Sequence, residues 1–301
     1  MRSILKFHND RTFKIVQFTD LHIGSEANHE DDKRSLHLIQ TVVEAEQPDL
    51  LVFTGDIIWS EGVAHPEKSF RKVLEQVAEV NVPFALVYGN HDSEENITRQ
   101  QLHKVQAEYE LSLSKSGPEA IHGVGNYSLT IQASTSRQVE AVLYFLDSGA
   151  LAPDHIGGYE WIHQDQIRWF VSESEQFKSS LPALAFFHIP LPEYGDVWQT
   201  GEVTGIKKER VCSPKINSGL FTAMVEHGAV LGTFAGHDHD NDYCGRLHGI
   251  SLCYGRVGGY HCYGKLQRGA RIIRLFEGER RFETWVRLDN GECSSVYTHE
   301  G

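Results

Sequence analysis

The order of apolar and polar positions predicts alternating strands and helices in the first third of the chain. Short apolar runs that are rich in β-branched and aromatic residues are typical of buried strands, and they occupy residues 13–20, 48–56 and 82–92. After each run, apolar residues recur at helical spacing, over residues 31–47, 66–80 and 97–110. This alternation predicts parallel strands that are joined by helical crossovers.

The rest of the chain predicts more strands than helices. Further strands are expected over residues 124–132, 140–148, 181–188 and 229–237, and further helices over residues 163–179 and 217–228. Residues 189–216 show little periodicity, which at this length indicates a functional loop. Short apolar runs after residue 249 are typical of antiparallel strands. We expect one domain, residues 1–301, that consists of two packed sheets with helices outside.

Composition and charge exclude several partners. The 301 residues are 40% hydrophobic, which is enough for a packed core. A balance of 28 Lys and Arg against 41 Asp and Glu gives a net charge of −13, so we expect no binding to nucleic acid polymers or to anionic membranes. No run approaches the roughly 18 apolar residues that cross a bilayer, and the opening MRSILKFHND lacks a signal-peptide pattern. We therefore expect a cytoplasmic protein.

The five cysteines suggest no covalent framework. Their number is odd, and no two of them form a C-x-x-C pair. We interpret them as reduced thiols that pack as small hydrophobic side chains, rather than as disulfides or a cysteine-based zinc site.

Residues that can bind metal ions follow five of the predicted strands. In chain order these strand ends carry Asp20 and His22, then Asp56, then Asn90, His91 and Asp92, then His188, and finally His237 and His239. Ligands of open α/β sheets collect beyond the carboxyl ends of the strands, so we expect these side chains to meet at one place. Gly55, Gly89 and Gly236 each precede one of them, and glycine lets a backbone approach an ion closely.

The chemistry of this set favours a pair of transition-metal ions. Carboxylates and imidazoles suit Mn, Fe or Zn, whereas a magnesium or calcium site would be nearly all oxygen. The set is too large for one tetrahedral ion, but it suits two ions that share a carboxylate. Two ions about 3.5–4 Å apart can bind a phosphoryl group and generate hydroxide near neutral pH. An anionic substrate is compatible with the acidic chain because the ions would invert the local field.

The ordered blocks D-x-H, G-D, G-N-H-[DE], H and G-H-x-H resemble those of the calcineurin-like metallophosphoesterases, over about residues 13–240. The stretches FFHIPLPEY and GHDHDNDYCG resemble the purple-acid-phosphatase-like branch of that superfamily. The resemblance implies an α/β fold, a four-layer α/β/β/α sandwich of two mixed sheets flanked by helices.

The resemblance also implies a role for each residue of the set. Asp20, His22 and His239 would hold the first ion. Asn90, His188 and His237 would hold the second ion, with Asp56 bridging the two. His91 would be the catalytic residue that meets the substrate phosphate, beside Asn90, and assists the departing alcohol.

The activity implied is that of a dinuclear-metal phosphoesterase, which hydrolyses phosphate monoesters of a small phosphorylated substrate by attack of a metal-bridging hydroxide. One alternative is a phosphodiesterase that acts on small diesters such as cyclic nucleotides or glycerophosphodiesters. Another is a non-catalytic binding module on the same scaffold. The segment 189–216 follows a predicted ligand and is the expected specificity element, with Tyr194 as its candidate substrate-binding residue.

One position departs from the pattern of purple acid phosphatases. Those enzymes carry G-D-x-x-Y, in which a tyrosinate binds ferric iron and gives the colour. This chain has GDIIW, and Trp59 offers neither a metal ligand nor a carboxylate to orient His91. We therefore predict a protein without tyrosinate-to-iron colour. The sequence leaves open which residue orients His91, and the adjacent Asp92 is one candidate.

Overall fold

The computed structural model describes residues 4–24, 29–200 and 202–301, which form two sheets and flanking helices. The helices are α1 (His29–Glu46), α2 (Pro66–Glu79), α3 (Arg99–Gln106), α4 (Gln164–Ser174), α5 (Glu193–Gln199) and α6 (Leu220–His227). The strands are β1 (Thr12–Phe18), β2 (Leu50–Thr54), β3 (Phe84–Val87), β4 (Tyr127–Gln132), β5 (Val139–Phe145), β6 (Ala183–Phe186), β7 (Val203–Thr204), β8 (Val230–Ala235), β9 (Cys244–Leu247), β10 (Ile250–Tyr254), β11 (Gly269–Phe276), β12 (Arg281–Leu288) and β13 (Cys293–Glu300).

Both sheets are mixed. The first has the order β13-β12-β11-β1-β2-β3, in which β1, β2 and β3 are parallel and β11 to β13 are antiparallel. The second has the order β4-β5-β6-β8-β10-β9-β7, in which β5, β6, β8 and β10 are parallel. The parallel strands of each sheet are neighbours, so their carboxyl ends lie side by side.

The alternation of side chains along the strands produces four layers. On β1, Ile15 faces the second sheet and packs in one cluster with Phe145 and Leu184. The next residue, Val16, packs on the opposite face with Leu38 of α1 and with residues of α2 and α3. A third cluster joins the outer face of the second sheet to α4, α5 and α6. This arrangement confirms the predicted α/β/β/α sandwich of two mixed sheets.

Several helix ends differ from the sequence prediction, and local capping explains the start of α3. Helix α3 begins two residues later than predicted, since Thr98 and Gln101 form a capping box before its first turn. It ends at Gln106 rather than at residue 110, and α4 ends at Ser174 rather than at residue 179.

The segment 189–216 is more ordered than predicted. It contains α5 and the short strand β7, so its interpretation as one irregular loop was wrong. The seven residues of α5 bury only Tyr194 and Val197, and two buried positions do not produce a recognisable helical pattern in the sequence. No described helix is both long enough and apolar enough to cross a bilayer.

Candidate metal centre

The predicted ligands come together where the parallel strands of both sheets end. Asp20 and His22 follow β1, Asp56 follows β2, Asn90 follows β3, His188 follows β6, and His237 and His239 follow β8. Across the two sheets, His22 Nε2 lies 3.2 Å from His239 Nε2. Residues that are more than 200 positions apart in the chain therefore share one buried centre.

Two groups of ligand atoms share a single carboxylate. Asp20, His22 and Asp56 form one group, and Asp56, His188 and His237 form the other, with the ligand atoms of each group within 4.8 Å of one another. Asp56 Oδ2 lies 3.1 Å from His188 Nε2 and 3.7 Å from His22 Nε2. This oxygen therefore stands between the two groups, which is the position of a bridging ligand.

The two remaining predicted ligands complete these groups. His239 Nε2 lies 3.3 Å from Asp20 Oδ1 in the first group. Asn90 Oδ1 lies 3.2 Å from His188 Nε2 in the second group, where His237 Nδ1 also lies 3.3 Å from His188 Nε2. The structure thus brings all seven predicted metal ligands together.

Hydrogen bonds to backbone carbonyls orient two of the imidazoles. His188 Nδ1 donates to the Thr54 carbonyl at 2.7 Å, and His239 Nδ1 donates to the Tyr263 carbonyl at 3.0 Å. A carbonyl only accepts, so in each ring the proton lies on Nδ1 and the lone pair of Nε2 is available to a metal ion.

The protonation states also fit a metal centre. Burial lowers the pKa of His22 and of His237 to about 3, so both imidazoles are neutral at pH 7. Burial opposes ionisation of Asp20, but the neighbouring His239 outweighs it and lowers the pKa of Asp20 to about 2. Neutral imidazoles and ionised carboxylates are the forms that bind metal ions.

In contrast, neighbouring carboxylates raise the pKa values of His188 and His239. Although burial opposes protonation of His188, the adjacent Asp56 raises the pKa of His188 to about 9. In the same way, Asp20 raises the pKa of His239 above its usual value. The buried carboxylates are therefore stabilised by positive charge, and bound cations would supply that charge in place of the protons.

In the described part of the chain, His22 Nδ1 is buried without a hydrogen-bond partner. The donor set fits two transition-metal ions.

The backbone around the ligands adopts an uncommon conformation. Four of the ligands have a positive φ although they are not glycine: Asp20 (54°), His22 (51°), Asp56 (47°) and His237 (78°). Such angles cost free energy, and they cluster at sites where the surrounding structure enforces them.

Two glycines make room for this conformation. Gly55 has a φ of +87°, and a Cβ at this position would lie 2.6 Å from the His188 ring. A Cβ on Gly89 would overlap the carboxylate of Asp56. Larger residues at either position would displace a ligand, which explains why glycine precedes the ligands in the sequence.

His91 lies beside the metal centre and belongs to neither ligand group. Its backbone N–H donates to Asp56 Oδ1 at 2.8 Å, and its ring lies 5.2 Å from the ring of His22. Its Nδ1 lies 2.8 Å from Glu94 Oε1. The indole ring of Trp59 stacks on the imidazole, with ring centroids 4.3 Å apart and planes 17° apart.

Asp92 does not orient His91. The Asp92 carboxylate is fully buried and accepts hydrogen bonds from the backbone N–H groups of Gly89 at 2.7 Å and of Ile58 at 2.9 Å. It therefore ties the chain after β3 to the chain after β2. The carboxylate that contacts His91 is Glu94, which sequence reasoning missed because nothing in the pattern distinguishes it from the neighbouring Glu95.

Tyr194 is not a substrate-binding residue in this structure, so that expectation is corrected. Its side chain is fully buried under α5, and its hydroxyl lies 2.9 Å from Thr233 Oγ1 and donates to the Cys253 carbonyl at 3.2 Å. The residue packs in the third core cluster because α5 folds onto the second sheet.

Sequence reasoning also missed Cys262. This side chain forms a possible metal-binding group with His22 and His239, with the three ligand atoms within 4.8 Å of one another. Its thiol donates to the Gly259 carbonyl at 3.2 Å. An isolated cysteine in the tail carries no motif, so only the fold reveals its position.

A cavity of about 800 Å³ opens directly beside the centre. His22, His91 and His239 line its inner end. Trp59 and Tyr263 contribute aromatic surface, and Lys68 and Lys72, one turn apart on α2, contribute two exposed ammonium groups. The cavity is large enough for a small organic molecule.

A separate cluster of His122, Glu160 and His163 has a different character. Both imidazole Nε2 atoms lie close to Glu160 Oε1, at 2.9 Å and 3.0 Å. The two rings stack with centroids 3.8 Å apart and planes 19° apart, and both Nε2 atoms point to the same carboxylate oxygen. This geometry fits two hydrogen bonds to one carboxylate better than a metal ion.

This fold and this two-part ligand set are those expected of a metallophosphoesterase. The description of the matching family model is calcineurin-like phosphoesterase, and the match covers residues 13–241. The chain therefore belongs to the calcineurin-like phosphoesterases.

Relatives agree with this assignment, and a solved structure shares the fold. A protein of Arabidopsis thaliana named probable inactive purple acid phosphatase 29 is 35% identical, over 98% of this chain and 87% of its own length. Phosphatase DCR2 of Saccharomyces cerevisiae is 36% identical, over 95% of this chain and 55% of its own length. The fold is similar to that of a dimetal phosphatase from Danio rerio, with a TM-score of 0.66, 14% identity and coverage of 96% of this chain and 98% of that chain.

Proposed function

We propose that this protein hydrolyses phosphate monoesters with the help of two transition-metal ions, Mn, Fe or Zn. The observation that carries the proposal is the position of Asp56 Oδ2 between His22 and His188, because a shared carboxylate oxygen is what a pair of ions requires. The yeast relative that is named a phosphatase supports the choice of monoesters.

The residues would divide the work as follows. Asp20, His22 and His239 would hold one ion, Asn90, His188 and His237 the other, and Asp56 would contribute to both. When bound, the ions would lower the pKa of a coordinated water and neutralise the phosphate oxygens. His91 stands next to this centre and lines the cavity, so its imidazole can contact the phosphate and protonate the departing alcohol.

The cavity beside His91 would receive the leaving group. Trp59 and Tyr263 offer apolar surface to its organic part. In a chain with a net charge of −13, Lys68 and Lys72 provide a local positive charge at the same cavity. We therefore expect a preference for esters whose leaving group carries a second negative charge.

Two other functions have some support. The volume of the cavity, about 800 Å³, has room for the second ester group of a small phosphodiester. The name of the plant relative contains the word inactive, which favours a non-catalytic binding module. Against the binding module, the described chain retains every predicted metal ligand and His91 at one site.

The deciding experiment combines metal analysis with two substrates. The purified protein is loaded with Mn, Fe or Zn, its metal content is measured by mass spectrometry, and turnover of nitrophenyl phosphate is compared with that of bis(nitrophenyl) phosphate. We expect two ions per chain and faster hydrolysis of the monoester. Faster hydrolysis of the diester would favour the phosphodiesterase, and two bound ions without turnover of either ester would favour the binding module.

A further inference from the structure

Four contacts hold His91, two on its main chain and two on its ring. Its backbone N–H donates to Asp56 at 2.8 Å, and its carbonyl accepts from the Ser60 hydroxyl at 2.7 Å. These bonds fix the main chain, and they do not depend on the imidazole. The ring itself is fixed by Trp59, which stacks on its face, and by Glu94, which contacts Nδ1.

The contact with Glu94 decides which ring nitrogen carries the proton. An ionised carboxylate only accepts hydrogen bonds, so the Nδ1 of His91 must donate across the 2.8 Å distance to Glu94 Oε1. The Nε2 of His91 then remains for the substrate, and it has no hydrogen-bond partner among the described residues.

Glu94 is itself held in place. Its backbone N–H donates to Ser60 Oγ at 2.8 Å, and the same hydroxyl donates to the His91 carbonyl. The indole N–H of Trp59 donates to the Glu61 carbonyl at 3.0 Å, which anchors the stacking ring. Since Asp92 is committed to two buried backbone bonds, Glu94 is the carboxylate available to His91.

We propose that Glu94 is the positioning residue of His91, and that Trp59 stacks on the imidazole and keeps it in contact with Glu94. This inference rests on the proposed hydrolase function for its catalytic meaning. Trp59 stands at a position where this chain offers neither a tyrosine nor an aspartate, and its role there is to stack on the imidazole that Glu94 contacts. The pair would matter most for substrates whose leaving group needs a proton.

The test therefore varies the leaving group. Glu94→Gln preserves the shape of the side chain and removes its charge. Glu95→Gln is a matched control because, among the described residues, Glu95 accepts only from the Gly62 N–H. Nitrophenyl phosphate has a good leaving group that departs without protonation, whereas phenyl phosphate has a poor one. For Glu94→Gln we expect a loss of about tenfold or more in kcat on phenyl phosphate, and a loss of about twofold on nitrophenyl phosphate. Glu95→Gln should resemble the wild type on both esters.

A second measurement does not depend on turnover. Nitrogen-15 spectra of the histidine rings report the tautomer of His91 in the metal-free protein. We expect the Nδ1–H tautomer in the wild type and in Glu95→Gln, and a mixture of tautomers in Glu94→Gln.

Two results would overturn the proposal: equal losses on both esters for Glu94→Gln, or an unchanged His91 tautomer. If the wild type hydrolyses neither ester, the proposed function fails, and the spectra alone decide whether Glu94 positions the ring.

Discussion

Replacing His91 by alanine should abolish most of the turnover and leave the metal centre intact. The backbone N–H of His91, which holds Asp56 at 2.8 Å, is present in every residue except proline. The ring belongs to neither ligand group. We therefore expect His91→Ala to retain two ions, because the substitution removes only the imidazole.

The size of each effect follows from the contacts that are lost. The imidazole stacks on Trp59 and bonds to Glu94, and such contacts are each worth about 1 kcal/mol of folding free energy. The variant should therefore unfold only a few degrees below the wild type. A general acid typically contributes about 10²–10⁴-fold to the rate, which corresponds to about 3–5 kcal/mol of activation free energy. The loss of turnover should thus far exceed any loss of stability.

The assay measures three quantities on one preparation: metal content by mass spectrometry, the thermal midpoint, and kcat on phenyl phosphate. A fall in kcat of about 100-fold or more, with two ions retained, would support the assignment. Loss of an ion in His91→Ala would place His91 among the ligands instead. Full turnover in the variant would refute its role in catalysis.

Three further predictions test other parts of the structure. Asp56→Ala should lose both ions, whereas His237→Ala should lose only one, because Asp56 alone belongs to both ligand groups. Mass spectrometry gives the number of bound ions, and one retained ion in Asp56→Ala would contradict the bridging role of Asp56. The double substitution Lys68→Glu and Lys72→Glu should raise KM about tenfold for esters whose leaving group carries a second negative charge, and should leave KM unchanged for esters with a neutral leaving group. An equal change of KM for both kinds of ester would exclude the lysines from the substrate site. Burial lowers the pKa of His299 to about 4. Between pH 6.5 and pH 4 the unfolded chain therefore binds more protons than the folded chain, and the free energy of unfolding falls as the pH drops, by up to about 3 kcal/mol. His299→Phe should make the pH dependence of urea unfolding shallower in that window, and an unchanged slope would show that His299 does not titrate there.

The strands and the layer order followed from the sequence, because burial on both faces makes a central parallel strand apolar along its whole length. Residues 48–56 and 181–188 show this pattern, and they contain β2 and β6. The edge strand β13 escaped prediction because most of its side chains are exposed or half-buried and leave no apolar run. Helix α5 escaped for a related reason, since its burial depends on a partner sheet that is distant in sequence.

The candidate centre divides in the same way. The sequence by itself determined which residue types follow the parallel strands, and topology requires those strand ends to meet, so the metal ligands were predictable as a set. Only the tertiary structure decided the side-chain neighbours: Glu94 beside His91, Cys262 near His22, and Tyr194 in the core. The physical reason is the distance along the chain over which each property is determined. Strand periodicity is a local property of the chain, whereas a hydrogen bond or a buried position depends on segments that only folding brings together.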